Sequence, residues 1–261
     1  MSTTKLNLKS LLFISVGLFS SLLGIAQPVI DAYGAIIRGD TSRKEIALVF
    51  TGDEFADGGE SIQKTLTKHK IKGSFFLTGN FYSNKKFRSL IDSLKKGGHY
   101  LGAHSEKHLL YSPWTNRDSL LVSKEQFQKD LQKNYQRMGN FRIRKQEAAW
   151  FLPPYEWYNG EIVKWTKELG LQLINFTPGT RSTADYTYPE MGKSYRGSEE
   201  IYNSIVQYEQ NSPQGLNGFI LLIHIGTDPR RTEKFYTKLD DLLLELERRG
   251  YTFLRIDALL R

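Results

Sequence analysis

From residue 43 onward, short runs of consecutive apolar residues alternate with longer segments whose apolar positions recur every three or four residues. The short runs, at 45–50, 73–77, 99–103, 147–152, 171–176, 218–223 and 251–256, read as strands. The segments at 61–70, 84–97, 123–138, 159–170, 198–210 and 233–250 read as amphipathic helices, because that spacing keeps one face of the spiral apolar. Ser198 supplies a helix start, and Gly97, Gly170 and Gly250 supply stops. Strands apolar enough to be buried on both faces, in strict alternation with helices, predict about seven parallel strands covered by helices. No internal repeat and no Pro-, Gly- or Ser-rich linker divides residues 27–261, so one α/β domain is expected there.

The first 26 residues follow a different pattern. Lys5 and Lys9 precede an apolar stretch from Leu11 to Ile25, and Gly24 and Ala26 offer small residues before Gln27. This is the layout of a secretory signal, with residues 1–26 removed and a mature chain starting at Gln27. The stretch is short, contains Ser and Gly, and runs straight into polar sequence, which speaks against stable membrane insertion. A secreted or periplasmic protein is expected. The chain has no Cys, which excludes disulfides and lipid attachment through an N-terminal Cys. Its net charge of +8, or +6 without Lys5 and Lys9, is dispersed with no run of five or six Lys or Arg. Nucleic acid is therefore not an expected partner.

In parallel α/β architectures the functional groups gather where strands end and loops leave the sheet. Carboxylates, histidines and aromatics concentrate here at such places, in residues 51–59, 104–108, 153–159, 177–186 and 224–231. The most pointed pattern is His104 and His108. On a helical turn that spacing puts both imidazoles on one face, able to hold one metal ion, and neutral imidazole suits zinc and similar ions. His99 precedes its strand and is expected to be structural, pointing away from a site at the far end.

Taken together, these loops resemble the polysaccharide deacetylase family, which shares the NodB homology domain. His104, Ser105 and His108 are similar to its H-[ST]-x-x-H metal motif, Phe151 to Trp157 to its R-x-P-[FY] groove segment, and the Leu-rich run ending at His224 to its last motif. The resemblance covers about residues 43 to 257. It implies a single-domain distorted (β/α) barrel, a carbohydrate substrate and a divalent transition metal, zinc in the first instance.

Two departures concern one function. The family carries T-F-D-D-G after its first strand, the first Asp acting as base and the second binding metal. Counting back from the second strand puts Thr51 and Gly52 at those places, with Asp53 and Glu54 following; a second alignment brings in Asp57 instead. The family's third-motif Arg, which orients the base, is replaced by Leu152. Together these suggest a rearranged base, with Glu54, Asp53 and Glu156 as the nearby replacements.

A metal on His104, His108 and one carboxylate keeps open positions, the pattern of hydrolytic zinc. Asp53 is the expected third ligand and Glu54 the expected base, roles they could exchange or share with Asp57. His224 is the candidate acid for the leaving amine or alcohol, oriented by Asp185 if that residue is not simply an exposed loop carboxylate. Pro154, Tyr155, Trp157 and Tyr158 would line a groove for sugar rings, the alternative being core packing after the Pro-Pro turn. Trp114 and Tyr111 would add to its rim. Arg181, Arg230 and Arg231 read as solvated surface. The sequence thus points to an exported deacetylase of N- or O-acetyl groups, against a glycan-binding protein that has lost catalysis or a hydrolase of a non-sugar amide.

Overall fold

The computed structural model describes Met1 and residues 27–261. The leader expected over residues 1–26 lies, Met1 apart, outside the described residues. Two short strands, β1 (Val29–Ile30) and β2 (Ile36–Arg38), precede the alternating region. There follow β3 (Glu45–Gly52), α1 (Gly59–Lys68), β4 (Ser74–Leu77), α2 (Gly79–Ser83), α3 (Arg88–Lys96), β5 (Tyr100–Ala103) and α4 (Lys124–Gly139). The chain ends with β6 (Trp150–Phe151), α5 (Gly160–Glu168), β7 (Gln172–Leu173), α6 (Ser198–Asn211), β8 (Phe219–His224), α7 (Leu239–Arg248), β9 (Thr252–Leu254) and α8 (Ile256–Leu259).

The strands form one curled sheet in the order β1-β2-β8-β3-β4-β5-β6-β7, with β9 beside the first half of β3. From β8 to β7 every pairing is parallel, as runs apolar on both faces predict. β2 and β1 add antiparallel pairs at one edge. Ile36, in β2, then bridges Ile174, just past β7, and the Asn175 amide donates to the Ile36 carbonyl at 2.9 Å. This bridge closes the seam together with Thr177, whose amide donates to the Ile220 carbonyl at 3.0 Å, and the result is a distorted (β/α) barrel.

Each of the seven expected strands is present, but β6 and β7 are two residues long rather than six. Pro153 and Pro154 follow β6 almost at once and cannot donate to a ladder, and after β7 the chain turns its amide to β2. β9 stops at Leu254 because Ile256 begins α8, its amide donating to Ser74 Oγ at 2.9 Å. Ser198 is the first residue of α6 and does not cap it; Gly197 takes the cap position. The Ser198 amide and hydroxyl bind Glu233 instead.

His99 sits at the start of β5, far from that strand's C-terminal end. Its Nδ1 accepts the Gly73 amide at 3.1 Å, and its ring meets Phe75 edge-on. Burial, with Lys72 and Arg255 adding, pushes its pKa down to about 4. Between pH 6.5, the ordinary imidazole value, and 4, the unfolded chain takes up a proton that the folded chain refuses. This contribution to stability is therefore complete above that window and is lost on acidification, by up to about 3 kcal/mol. Urea midpoints of wild type and His99→Asn between pH 7 and 4 test this. The variant should show a flatter acid slope, and equal slopes would refute the assignment.

Candidate active site

The loop after β5 carries the histidine pair, but it is not the helical turn that the spacing predicts. Residues 104–110 form no helix. Ser105 (φ 73°) and His108 (φ 53°) are left-handed, a conformation that no α-helical turn contains. The two imidazoles still face each other, with ring centroids 5.1 Å apart. A buried carboxylate gathers them. Asp130, on α4, accepts Ser105 Oγ at 2.7 Å and the amides of Glu106 and Lys107 at 2.8 and 3.1 Å. One turn further on, Asn134 accepts the His104 amide at 2.9 Å and donates to the Leu77 carbonyl at 3.3 Å. Gly79 permits the close approach, since a Cβ there would lie 1.6 Å from Glu106 Oε2.

His104 Nδ1 lies 2.8 Å from the Leu152 carbonyl. A carbonyl can only accept, so Nδ1 carries the proton and Nε2 keeps its lone pair. Burial, reinforced by His108 and His224, holds the His104 pKa well below the usual imidazole range. Burial also lowers that of His108, against the pull of the Asp53 carboxylate. Both shifts favour the neutral imidazole that a metal ligand requires.

Asp53 follows β3 and faces this pair. A side chain at Gly52 would run into Ile225 at 2.6 Å and Leu77 and Phe81 at 3.0 Å, so position 52 faces the apolar layer behind the sheet and the next residue presents the carboxylate. Asp53 Oδ1 accepts Thr78 Oγ1 at 2.7 Å and Asn80 Nδ2 at 3.2 Å, while Thr78 caps α2. Two neutral imidazoles, one with its far nitrogen anchored, fit a borderline transition metal. The third donor is not drawn in: among the described residues no three His, Cys, Asp or Glu are gathered closely enough to hold an ion. Glu54 is exposed at the cavity rim. Asp57 turns away, accepting the Thr227 amide, Tyr236 and Lys234.

His224 ends β8, in register with Thr51 of β3. Asp185, 2% exposed, accepts His224 Nδ1 at 2.6 Å and the His224 amide at 2.8 Å. Burial pulls the His224 pKa down, but the charge and hydrogen bond of Asp185, with Glu156 adding, outweigh it and raise the value above the ordinary one. The His224–Asp185 dyad and the His104–His108 pair meet at one cavity of about 530 Å³, which Asp53, Glu54 and Glu156 also line. Its wall is aromatic, with Trp114, Tyr155, Tyr186 and Tyr188.

The groove segment divides. Tyr155 reaches the cavity and packs on His108 at 4.4 Å. Pro154 is buried, and Trp157 backs the exposed Trp114 at 5.3 Å. Tyr158 and Tyr111 are fully buried and form no rim: Tyr158 donates to Asp31 at 2.6 Å, and Tyr111 packs on Phe127. Arg181 and Arg230 are exposed, Arg230 being paired with Asp228 and stacked 4.0 Å over Tyr188. Arg231 is not solvated surface but fully buried, tying Ser198 to the carbonyls of Thr187 and Arg196.

Tyr155 (φ 58°) and Glu156 (φ 53°) are consecutive left-handed residues, each costing roughly 1–2 kcal/mol against an ordinary conformation. The Asn175 side chain pins the Glu156 carbonyl at 3.0 Å. Burial pushes the Glu156 pKa up to about 7, with Asp185 raising it further and His224 opposing. Asp130 and Asn134 escaped the reading of the sequence, although they interrupt the buried stripe of Phe127, Leu131 and Met138 on α4. Polar residues at core positions were the available signal.

A parallel barrel with a histidine pair at one strand end and a buried imidazole–carboxylate dyad at another defines a hydrolase site. The chain belongs to the polysaccharide deacetylase family, whose signature matches residues 38–174, a family of hydrolases acting on amide and ester bonds of carbohydrates. It is 26% identical over 234 residues to the peptidoglycan-N-acetylmuramic acid deacetylase PdaA of Bacillus subtilis, covering 89% of this chain and 77% of the relative. It is 25% identical over 223 residues to a peptidoglycan-N-acetylglucosamine deacetylase of Bacillus cereus, covering 84% and 90%. Among solved structures, PdaA superposes with a TM-score of 0.67 at 26% identity, over 87% of this chain and 85% of the other. A family 4 carbohydrate esterase pseudoenzyme from Bacillus anthracis also gives 0.67, at 19% identity over 88% and 70%.

Asp130→Ala removes three hydrogen bonds at once and strands two loop amides. It should lower unfolding free energy by about 2–4 kcal/mol in urea titration, and a loss under about 0.5 kcal/mol would show that the loop holds itself.

Proposed function

We propose that this chain is an exported, metal-dependent deacetylase that removes N- or O-acetyl groups from a cell-wall or other extracellular polysaccharide. The observation that carries the reading is the convergence of the His104–His108 pair and the His224–Asp185 dyad on one aromatic-walled cavity. The peptidoglycan deacetylases among its relatives support a peptidoglycan-type substrate. Among the described residues no helix is long and apolar enough to cross a membrane.

A divalent transition metal, zinc by expectation, would be held by His104, His108 and Asp53, and would polarise the acyl oxygen and acidify water. The Leu152 carbonyl fixes the His104 tautomer for that role. Thr78 and Asn80 orient Asp53. His224, whose hold on its proton Asp185 strengthens, gives that proton to the departing nitrogen or oxygen. Tyr155 and Trp114, 44% and 59% exposed, offer apolar ring faces to a sugar while their polar edges stay in water.

A second reading, a glycan-binding protein without catalysis, draws on Thr51 and Leu152 standing where the family has its base and the Arg that orients it. Thr51 Oγ1 is buried and has no hydrogen-bond partner among the described residues. Acetate release from acetylated chitooligosaccharides, xylan and peptidoglycan separates the two. The first reading expects release that a chelator abolishes and zinc, cobalt or nickel restores; glycan binding with no release from any of them supports the second. His104→Ala and His108→Ala should each lose bound metal by plasma emission analysis, and stoichiometric metal in both would refute the ligand assignment.

A further inference from the structure

We propose that Glu156 is the proton-accepting carboxylate of this site, working directly with His224 and Asp185. The inference rests on the deacetylase reading above and assigns the base which that reading leaves open. Three observations carry it. Glu156 lines the same cavity as both histidine groups. Its carboxylate accepts no hydrogen bond among the described residues, whereas Asp53 is bonded to Thr78 and Asn80, and Asp57 to Thr227, Tyr236 and Lys234. Its backbone is held left-handed next to a second left-handed residue, Tyr155, between the Pro153–Pro154 turn and the Asn175 side chain. A glycine would satisfy that backbone without strain. A glutamate kept there at a conformational cost, aimed into a cavity and left unpaired, has the marks of a functional group.

Its neighbours complete the case. The charge of Glu156 reaches His224 and Tyr186, and that of Asp185 reaches Glu156. Glu54, by contrast, is exposed at the cavity rim. The elevated pKa of Glu156 suits proton exchange near neutrality.

The proton balance closes within this group. Water adds to the acyl carbon as Glu156 takes one of its protons. The bond from carbon to nitrogen or oxygen then breaks, its electron pair leaving with the heteroatom, which takes a proton from His224. Glu156 passes its proton to His224, and acetic acid departs. The proton that one residue gains is the proton the other needs.

The test compares Glu156→Gln, Glu156→Gly and Glu54→Gln in the full-length protein loaded with zinc, on N-acetylated chitooligosaccharide, O-acetylated xylan and peptidoglycan. Glu156→Gln should lower kcat by about 100- to 10,000-fold with KM changed less than threefold, and should move the His224 titration, followed by NMR, to lower pH. Glu156→Gly should lose activity equally while raising Tm, an outcome that a merely structural role or a folding failure would not give. Glu54→Gln should cost less than tenfold. An active wild type with Glu156→Gln within threefold of it, or a larger loss at Glu54, overturns the role of Glu156 and leaves the deacetylase reading standing. A wild type that releases no acetate from any of the three substrates overturns both.

Discussion

The parallel register of β3 against β8 and β4 is the constraint on which the site depends. Thr51 lies opposite His224 on one side and Phe76 on the other, and β5 continues the register by setting Ala103 against Leu77. Parallel strands deliver all their C-terminal ends to one edge, so Asp53, His104 and His224 emerge together although they are far apart in sequence. Apolar residues buried on both faces of β3, β4 and β8 fix this arrangement, because a slip of one residue would turn each strand's side chains to the opposite face.

Beyond the strand ends, buried polar groups hold the loops where regular structure gives out. Asp130 replaces a helical turn under the histidine pair, Asn175 pins the turn carrying Glu156, and Arg231 fastens the segment around Thr187 and Ser198 that follows Asp185. Each is satisfied largely by backbone groups, which water would otherwise have to solvate. The loops can therefore adopt strained conformations, at Ser105, His108, Tyr155 and Glu156, that short-range preference would reject.

This division explains what the sequence made legible. Continuous apolar runs identified β3, β4, β5 and β8 nearly to the residue, since burial on both faces leaves a plain signal. The runs at 147–152 and 171–176 located β6 and β7 but overstated their length, and the edge strands β1 and β2 leave too few positions for a pattern. The histidine spacing suggested a helical turn because spacing encodes local geometry alone, whereas Asp130 acts from 25 residues beyond Ser105. Asp185 has the same character: nothing local distinguishes it from an exposed carboxylate until α6 and β8 close over it. Arg231 and Tyr111 read as surface for want of any local sign of their buried partners.

The changed first motif has a structural counterpart. Thr51 and His224 are adjacent on rigid, paired strands, so a proton acceptor at position 51 would need no strained backbone to reach its partner. With threonine there and Leu152 in place of an arginine, neither the strand position beside His224 nor the place of the family's arginine carries a charge. Glu156 approaches the same imidazole from the loop after β6, and a loop of that length must bend sharply to aim it. The left-handed pair, the prolines before it and the Asn175 clamp after it are what that bend requires. On the proposed assignment, the strain at Tyr155 and Glu156 is the physical consequence of placing the proton acceptor on a turn rather than on a strand.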